Sequence, residues 1–342
     1  MGIKDDPKLT TKTIAKLAGV SIATVSRVLN HNTTVKEDTR RKILEIIEKF
    51  NVNSSPAQTA IQSSRFILVC TTSLENPFNS LIIDGIQQAA SENHYQVLIL
   101  QLKGEFLSFE DYDNILKKIS LAGIILITSV IEQKLLELLT LSCPIVMCSE
   151  YCDVNSISVV SINNVLAARK ATEYLISTGC KRIALLNSSL RWHYAQSREQ
   201  GYLEALNSAG IKKNDDFIVH LPSIDYNLAF SLVSNLLALP EPPDAFFAVS
   251  DVLAVSAIHA AKMMGLRIPE DISVMGFDNI AISSMTEPSI TTIGQPSVKI
   301  GYLSCELLIE KINNPACIRK KILLDIELIV RNSTRRNMII SE

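Results

Sequence analysis

The chain has 342 residues, 47% of them hydrophobic, and a formal net charge of −2 at pH 7. This length and apolar content predict two or three domains with hydrophobic cores of their own. No stretch approaches the roughly 18 uncharged apolar residues of a membrane span, and the first residues lack the apolar core of a signal peptide. We therefore expect a soluble cytoplasmic protein that makes no membrane contact.

The charge is unevenly distributed along the chain. Residues 1–65 hold 11 Lys and Arg against 6 Asp and Glu, a balance of +5, whereas the remainder holds 22 against 29, a balance of −7. A basic segment attached to an acidic body is typical of a protein that binds phosphates with one end only. The pattern favours nucleic acid as a partner of the first 65 residues.

Two short helices are predicted in that basic segment. Thr11–Ala18 reads as a helix with Thr11 as its N-cap, Gly19 supplies a tight turn, and Ser21 caps a second helix. Helix, short turn and helix make the helix-turn-helix arrangement of many DNA-binding domains. A small three-helix domain without DNA contact remains the alternative. The residues of the first helix that are predicted to face inward are Ile14, Leu17 and Ala18.

The second helix has two unlike faces on a wheel that starts at Ile22 and turns 100° per residue. The face that can pack on a core holds Thr24, Val25, Val28 and Leu29. The opposite face is narrow and holds Ile22, Ala23, Ser26, Arg27 and Asn30. Small residues let a helix lie deep in the major groove, where the Arg27 guanidinium can donate two hydrogen bonds to guanine. In the alternative, Arg27 is only a solvated charge.

A third helix and a linker follow. Thr34–Glu37 forms a capping box before a helix whose apolar stripe includes Ile43 and Phe50. Residues 51–65 are polar and small, but Ser55 and Pro56 can start a helix of about two turns, to about Ser63. Such a helix is too short to be stable alone, so it forms only if something holds it. The alternative is a flexible tether.

From Phe66 the pattern alternates strand-length apolar runs with helical segments, which predicts parallel sheets covered by helices. Two such sets in tandem predict two doubly wound α/β lobes, and the short tail after Phe277 must complete both of them. The predicted strands are Phe66–Thr71, Gln96–Leu100, Gly123–Thr128, Pro144–Cys148, Arg182–Leu186, Phe217–Leu221, Ala245–Val249, Ser273–Phe277 and a region near Ile322–Ile329. The predicted helices are Leu81–Glu92, Tyr112–Ser120, Val165–Thr178, Ala195–Ser208, Leu228–Leu237, Val252–Met264 and Ser297–Ile312.

A small-ligand site is predicted just after the strands, because ligands of parallel α/β sheets bind beyond the carboxyl ends of the strands. Charged and aromatic residues follow the predicted strands and suit a polar, partly planar or hydroxylated ligand. Three structural alternatives stay open: Asp251 as a helix cap, Asp278 as a brace of a turn, and Arg198 as a surface charge. The predicted ligand residues are Phe78, Glu150, Tyr151, Asn163, Arg198, Ile224, Ser250, Asp251 and Asp278.

Catalytic and cofactor motifs are not found in the sequence. It contains no GxGxxG, Walker, GxSxG or HExxH pattern, and its five histidines are dispersed. Cys143, Cys148 and Cys152 lie close in sequence, but small core residues in a reducing compartment are a better interpretation than a metal cluster. We therefore expect no enzymatic activity, no metal and no cofactor.

The run Ala23-Thr-Val-Ser-Arg-Val-Leu-Asn30 resembles the head-piece of the LacI-type (lactose and purine repressor) family of bacterial transcription regulators. Later segments match the family in order, among them Asn76-Pro-Phe78, Arg198-Glu-Gln-Gly-Tyr202, Gly276-Phe-Asp-Asn279 and Arg331-Asn-Ser-Thr334. The resemblance implies a head-piece at 1–53, a hinge helix and linker at 54–65, and a periplasmic-binding-protein-like core at 66–342. It places lobe 1 at about 66–163 and 293–325, and lobe 2 at about 164–292 and 326–336.

The resemblance also implies a function. The chain is expected to be a repressor that binds double-stranded operator DNA as a homodimer and responds to an effector, a nucleoside or a sugar. The residues expected to contact DNA are Thr13, Ser21, Ile22, Ala23, Thr24, Ser26, Arg27, Asn30 and, as a minor-groove wedge, Ile61. The hinge departs from the usual pattern at Val52–Ser55, as in the cytidine-responsive branch, to which the chain looks closest. A carrier with the same core, or a regulator that no longer senses a ligand, is the alternative.

Overall fold

In a computed structural model, residues 11–29, 35, 38–43, 65–102, 119–127, 133–151 and 157–335 are described. The chain divides into two compact units, Met1–Ser64 and Arg65–Glu342. Among the described residues no helix is both long and apolar enough to span a membrane. The fold class predicted from the sequence, a helical head-piece followed by a two-lobed α/β core, is confirmed.

The first unit contains helices α1 (Thr11–Ala18) and α2 (Ile22–Leu29), joined by a turn at Gly19, whose φ is +70°. Ser21 Oγ accepts a hydrogen bond from Thr24 N at 3.1 Å and so caps α2, as predicted. The backbone is again helical at 38–43. The small core of this unit consists of Ile14, Ala15, Ala18, Val25, Val28 and Ile43.

One inward residue of α1 was predicted wrongly. Leu17 is 47% exposed, and Ala15 is buried in its stead. The small side chains of Ala15 and Ala18 pack in the core of this unit together with Val25 and Val28 of α2, and Leu17 is not part of that core. Thr11 is itself the first residue of α1, and its side chain is outside the described part of the structure. Most of the third helix, including Phe50, also lies outside it.

The first lobe is a six-stranded sheet in the described residues, with strand order β11-β5-β4-β3-β1-β2 and all pairs parallel. Its helices in the described residues are α3 (Pro77–Glu92), α4 (Gln133–Ser142) and α10 (Ser297–Asn313). The predicted helix Tyr112–Ser120 lies mostly outside the described residues. The strands are β1 (Phe66–Thr71), β2 (Gln96–Gln101), β3 (Gly123–Leu126), β4 (Ile145–Cys148), β5 (Ser158–Ile162) and β11 (Lys321–Leu324).

The second lobe repeats this order as β12-β10-β9-β8-β6-β7, except that β12 runs antiparallel to β10. Its helices are α5 (Asn164–Ser177), α6 (His193–Ser208), α7 (Tyr226–Leu237), α8 (Asp251–Met263) and α9 (Ile282–Met285). The strands are β6 (Ile183–Ser188), β7 (Ile218–Leu221), β8 (Ala245–Ala248), β9 (Ser273–Asp278), β10 (Thr291–Gly294) and β12 (Glu327–Ile329).

Within residues 157–335 the chain crosses between the lobes three times, after β5, β10 and β11. The boundary predicted between residues 292 and 293 falls inside β10, so the second crossing follows Gly294. Strands β5 and β10 were not predicted. Both mix hydroxyl and apolar side chains and therefore lack the continuous apolar run that identified the other strands.

Helices that begin at the cleft are held in place by glycine contacts. Helix α3 packs on α10, and a Cβ at Gly85 or Gly301 would collide with the backbone of the other helix. Gly201 plays the same part where α6 packs on α5. Backbones this close leave little freedom to shift. The first turn of α3, which carries Phe78, and the second turn of α6, which carries Arg198, are thereby fixed on their lobes.

Candidate functional site

The two lobes enclose a cavity of about 680 Å³ at the carboxyl ends of their strands. The loops after β1 and β4 contribute from the first lobe, and those after β6 to β9 contribute from the second. A parallel sheet places its ligand site at this edge. Six of the nine predicted ligand residues line the cavity: Phe78, Glu150, Arg198, Ile224, Ser250 and Asp278.

Tyr151 and Asn163 do not line it. They line a second cavity of about 250 Å³, which shares Ser149, Glu150 and Tyr194 with the first. Asn163 caps α5, because its Oδ1 accepts a hydrogen bond from Leu166 N at 3.1 Å. Both residues thus belong to the space beside the predicted site, and their assignment to the main cavity is corrected.

Asp251 needs a larger correction, because the structure gives it neither of the roles considered for it. The cap of α8 is Ser250, whose Oγ accepts from Val252 N at 3.3 Å. The Asp251 carboxylate is fully buried and accepts from Thr292 Oγ1 at 2.7 Å and from Ile280 N at 2.8 Å. It points into the second lobe and does not line the cavity. Sequence spacing could not show this, since both donors are distant along the chain.

Arg198 projects from α6 to the base of the cavity and is only 5% exposed, which rules out a solvated surface charge. Its Nη1 donates to Val249 O at 2.6 Å, and its Nε donates to Asn164 Oδ1 at 3.0 Å. Its Cζ lies 3.6 Å from the ring centroid of Phe277, a cation–π distance. Burial lowers the pKa of Arg198, and the nearby Asp278 opposes that change. A guanidinium held in this way remains charged and fixed in direction.

Asp278 is the last residue of β9 and faces Arg198. Its Oδ1 accepts from Gln295 Nε2 at 2.7 Å and lies 3.9 Å from Arg198 Nη1, which is within ion-pair range but too long for a hydrogen bond. Burial raises the pKa of Asp278 to about 7, although Arg198 and Gln295 both lower it. Among the described residues, both contacts of the carboxylate are made by Oδ1. Oδ2 is left to accept from a ligand.

Aromatic side chains form the walls around this pair. Phe78 contributes from the first lobe, and Trp192, Tyr194 and Tyr226 contribute from the second. Trp192 and Tyr194 stack with their planes 23° apart and their centroids separated by 6.3 Å. Burial raises the pKa of Tyr194 to about 12, so its hydroxyl stays protonated. Sequence reasoning missed Tyr194 and Tyr226, which also follow strands.

The first-lobe side of the cavity is pre-formed by its own hydrogen bonds. Asn76 Oδ1 accepts from Phe78 N at 3.1 Å and caps α3. Asn79 Nδ2 donates to Thr71 Oγ1 at 3.1 Å and to Ser73 O at 2.9 Å. Glu150, buried after β4, lines both cavities. Phe78 is therefore presented by the first turn of α3, which is held by hydrogen bonds within the first lobe.

The predicted DNA-contacting residues are only partly described. Ile22 is 50% exposed on the outer face of α2, as predicted. The hydroxyls of Ser21 and Thr24 lie 2.8 Å apart and bond each other. The side chains of Thr13, Ala23, Ser26 and Arg27, and the whole of Asn30 and Ile61, lie outside the described residues. Their DNA contacts stay predictions.

Two family models match the chain. The model described as "Bacterial regulatory proteins, lacI family" matches residues 10–53, and the model described as "Periplasmic binding protein-like domain" matches residues 172–334. The first match contains α1 and α2. The second contains most of the second lobe and the two crossings after β10 and β11.

Similar proteins match nearly the whole chain. The probable HTH-type transcriptional repressor ExuR of Bacillus subtilis is 34% identical over 336 residues, 96% of this chain and 99% of that protein. The HTH-type transcriptional repressor CytR of Escherichia coli strain K12 is 32% identical over 341 residues, 97% and 98% of the two chains. A solved structure, the transcriptional regulator CelR–cellobiose complex, has a TM-score of 0.72 and 27% identity and covers 95% of this chain and 100% of its own.

Proposed function

This chain belongs to the lacI family of bacterial regulatory proteins, and we propose that a neutral hydroxylated ligand in its cleft controls its binding to operator DNA. The chain is a DNA-binding transcriptional regulator, and its relatives are named as repressors rather than as enzymes. We assign repression of transcription to the head-piece and recognition of the ligand to the core. The nature of the ligand follows from the charges of the cavity.

The Arg198–Asp278 pair is the observation that carries this proposal. The contacts of Arg198 with described residues use Nε and Nη1, and those of Asp278 use Oδ1. Nη2 remains to donate and Oδ2 remains to accept. A ligand hydroxyl can accept from the first and donate to the second, and two adjacent hydroxyls fit better still. This favours a sugar ring, free or within a nucleoside.

The remaining charges disfavour an anionic ligand. Glu75, Glu150 and Asp225 line the same cavity as Arg198 and Asp278, so acidic residues outnumber basic ones there. A phosphate would meet repulsion as well as a cost of desolvation. The ligand we propose is therefore uncharged.

A nucleoside is the first candidate, because Phe78, Trp192 and Tyr226 offer aromatic faces on which a base can stack. Cytidine is the specific nucleoside to test. A sugar is the second candidate, because a solved structure similar to this chain is a complex with cellobiose.

We propose that α2 reads the major groove of the operator, with Arg27 bonding to a guanine edge. A single helix-turn-helix contacts too little DNA for specific binding at cellular salt, so we propose a homodimer on a nearly palindromic site. Ile61 would lie in the minor groove between the two subunits' half-sites. Such a regulator acts in the cytoplasm.

A thermal-shift screen tests the ligand class directly. Cytidine, other nucleosides, cellobiose and simple sugars are added to the full chain, alone and with an operator selected from random DNA. We expect one neutral hydroxylated compound to raise the Tm by mass action, and phosphorylated analogues to fail. If only an anionic compound stabilises the protein, the proposed ligand class is wrong. If DNA selection yields no preferred site, the chain is a carrier rather than a regulator.

A further inference from the structure

The turn that carries Asp278 has an unusual backbone. Asp278 has φ +105° and Asn279 has φ +56°, and neither residue is glycine. Side chains with a Cβ rarely adopt positive φ, and two such residues in succession persist only when their surroundings hold them. The turn lies directly between β9 and α9, at the edge of the cavity. Something outside the cavity must hold the turn in this shape.

The first group that fixes the turn is the buried carboxylate of Asp251. Its Oδ2 accepts from Ile280 N at 2.8 Å, two residues after Asp278, while its Oδ1 accepts from Thr292 Oγ1 at 2.7 Å. A Cβ at position 276 would collide with Oδ1, so Gly276 provides the space for the carboxylate. Asp251 thus ties the far side of the turn to both α8 and β10.

The second group that fixes the turn is the guanidinium of Arg331. Its Nη2 donates to Asn279 Oδ1 at 2.7 Å, and its Nη1 donates to Ile290 O at 2.7 Å and to Ser283 Oγ at 3.1 Å. Its own backbone is fixed, because Arg331 N donates to Thr291 Oγ1 at 2.9 Å. Arg331 follows β12 and so ties the middle of the turn to the end of the chain that completes the second lobe.

We propose that Asp251 and Arg331 are positioning residues for the ligand: together they hold the turn at Asp278–Ile280 so that the Asp278 carboxylate faces the cavity. Neither side chain lines the cavity, and each contacts the residues just after Asp278. This inference rests on the proposed function, in which Asp278 binds the ligand. A carboxylate that is displaced by even about 1 Å loses most of its directed hydrogen bonding.

The chemistry of Asp251 and Arg331 predicts which substitutions are tolerated at these two positions. Asn at position 251 keeps an oxygen for Ile280 N and can donate its amide to Thr292 Oγ1, whereas Ala keeps neither bond. Lys at position 331 has a single nitrogen and cannot span three acceptors as a planar guanidinium does. We therefore expect D251N to behave like the wild type, and D251A and R331K to lose the position of Asp278.

The same lobe offers matched controls away from the cleft. Asp244 accepts from Arg182 N at 2.9 Å and from Lys181 N at 3.0 Å, at the amino ends of β6 and β8. Arg335 donates to the carbonyls of Pro269 and Glu270, at 3.3 Å and 3.1 Å. D244A and R335K remove comparable bonds from the opposite edge of the sheet, so they measure the loss of stability alone.

Titration calorimetry with cytidine and with cellobiose tests the proposal on the full chain. We expect D251A and R331K to bind the active probe at least about tenfold more weakly, and D251N, D244A and R335K to stay within about threefold of the wild type. Operator affinity without probe should not change in any variant. Equal losses in D251A and D251N, or wild-type binding by both D251A and R331K, would overturn the proposal.

A second readout does not need the ligand. The ¹³Cα and ¹³Cβ chemical shifts of Asn279 report its left-handed backbone. We expect these shifts to be unchanged in D251N, D244A and R335K and moved in D251A and R331K. If the wild type binds neither probe, the proposed choice of ligand has failed. The chemical shifts of Asn279 then show by themselves whether Asp251 and Arg331 hold the turn. Wild-type shifts in both D251A and R331K would then contradict our inference.

Discussion

The two lobes of the core have the same frame and unequal chemistry. Both sheets place their strands in one spatial order, and only the last strand differs, because β11 joins its sheet in parallel and β12 joins in the antiparallel sense. The second lobe carries the buried pair of Arg198 and Asp278, whereas the first lobe offers the ring of Phe78 and the carboxylate of Glu150. Two lobes of the same fold therefore contribute different chemical groups to the site.

The difference indicates that the two lobes contribute to ligand binding in different ways. The polar groups of the second lobe are fixed by bonds to Val249 in that lobe and to Gln295 in the segment that leaves it after β10, so they are ready before a ligand arrives. Pre-organised polar groups give most of the directional binding energy. We expect the ligand to bind the second lobe first and the first lobe to close over it. If the lobes differ in this way, changes to the polar groups of the second lobe should weaken ligand binding more than changes to the first lobe.

Replacing Asp278 with Ala should have the largest effect. Loss of a charge-assisted hydrogen bond to a ligand hydroxyl is worth about 3 kcal/mol, or about a hundredfold in affinity. Calorimetry with the compound that the thermal-shift screen selects measures it, and D244A serves as the control. An affinity within about threefold of the wild type would mean that the second lobe does not hold the ligand through this carboxylate.

Replacing Phe78 with Ala should weaken the binding of the same compound by about 2- to 12-fold, since a stacking contact is worth about 0.5–1.5 kcal/mol. The Phe78→Leu variant keeps apolar area and should lose less. Both are measured in parallel with D278A. A loss in F78A that exceeds the loss in D278A would reverse the roles that we give to the lobes.

The pH dependence of ligand affinity tests the contribution of the Asp278 carboxylate to ligand binding. Burial raises the pKa of Asp278 to about 7, so its charged, hydrogen-bond-accepting form is lost as the pH falls below that value. We expect affinity to drop about tenfold between pH 8 and pH 6. D278N, which cannot titrate, should show a flat profile. Identical profiles for the wild type and D278N would assign the pH dependence elsewhere.

Stability should change with pH in the opposite direction. The folded-state pKa of Asp278 and that of Asp251 are both raised from 3.8 to about 7, chiefly by burial. The folded protein therefore holds these protons more tightly than the unfolded chain, and their stabilising contribution is complete below about pH 4 and is lost as the pH rises through 7. Urea unfolding of wild type and D278N between pH 5 and 8 measures it, and D278N should lose less stability over this range.

The helix caps should give the smallest effect and the same one in both lobes. Asn76 caps α3 in the first lobe and Ser250 caps α8 in the second, each through one backbone N–H. Either change to Ala should lower the free energy of unfolding by about 1 kcal/mol. The exposed Ser231→Ala variant should change it by less than about 0.5 kcal/mol. A large difference between the caps would show that the two lobes differ in stability as well as in chemistry.

Most of the frame could be predicted from the sequence, because buried parallel strands are continuous apolar runs. The exceptions, β5 and β10, carry hydroxyl side chains whose partners are remote: Thr291 Oγ1 lies 2.7 Å from Thr334 Oγ1, and Thr292 donates to Asp251. No local pattern reveals a partner that lies about 40 residues away along the chain. These polar strands become stable only in the assembled lobe.

The site was predictable to the extent that it follows one rule, position after a strand. That rule found Phe78, Arg198 and Asp278, and a stricter use of it would have found Tyr194 and Tyr226. It could not separate side chains that enter the cavity from one that turns away, as Asp251 does. The direction of a side chain is set by tertiary partners, here Ile280 and Thr292, and not by its place in the sequence.

The most direct test of the central claim is a titration of labelled operator with the full chain, with and without the selected compound, for the wild type and for D278A. Fluorescence anisotropy reports the operator affinity. We predict that the compound changes the wild-type affinity by about 5- to 150-fold, that it leaves D278A unaffected, and that both proteins bind operator equally well without it. A full response in D278A, or no response in the wild type, would contradict control of DNA binding by a ligand held in the second lobe.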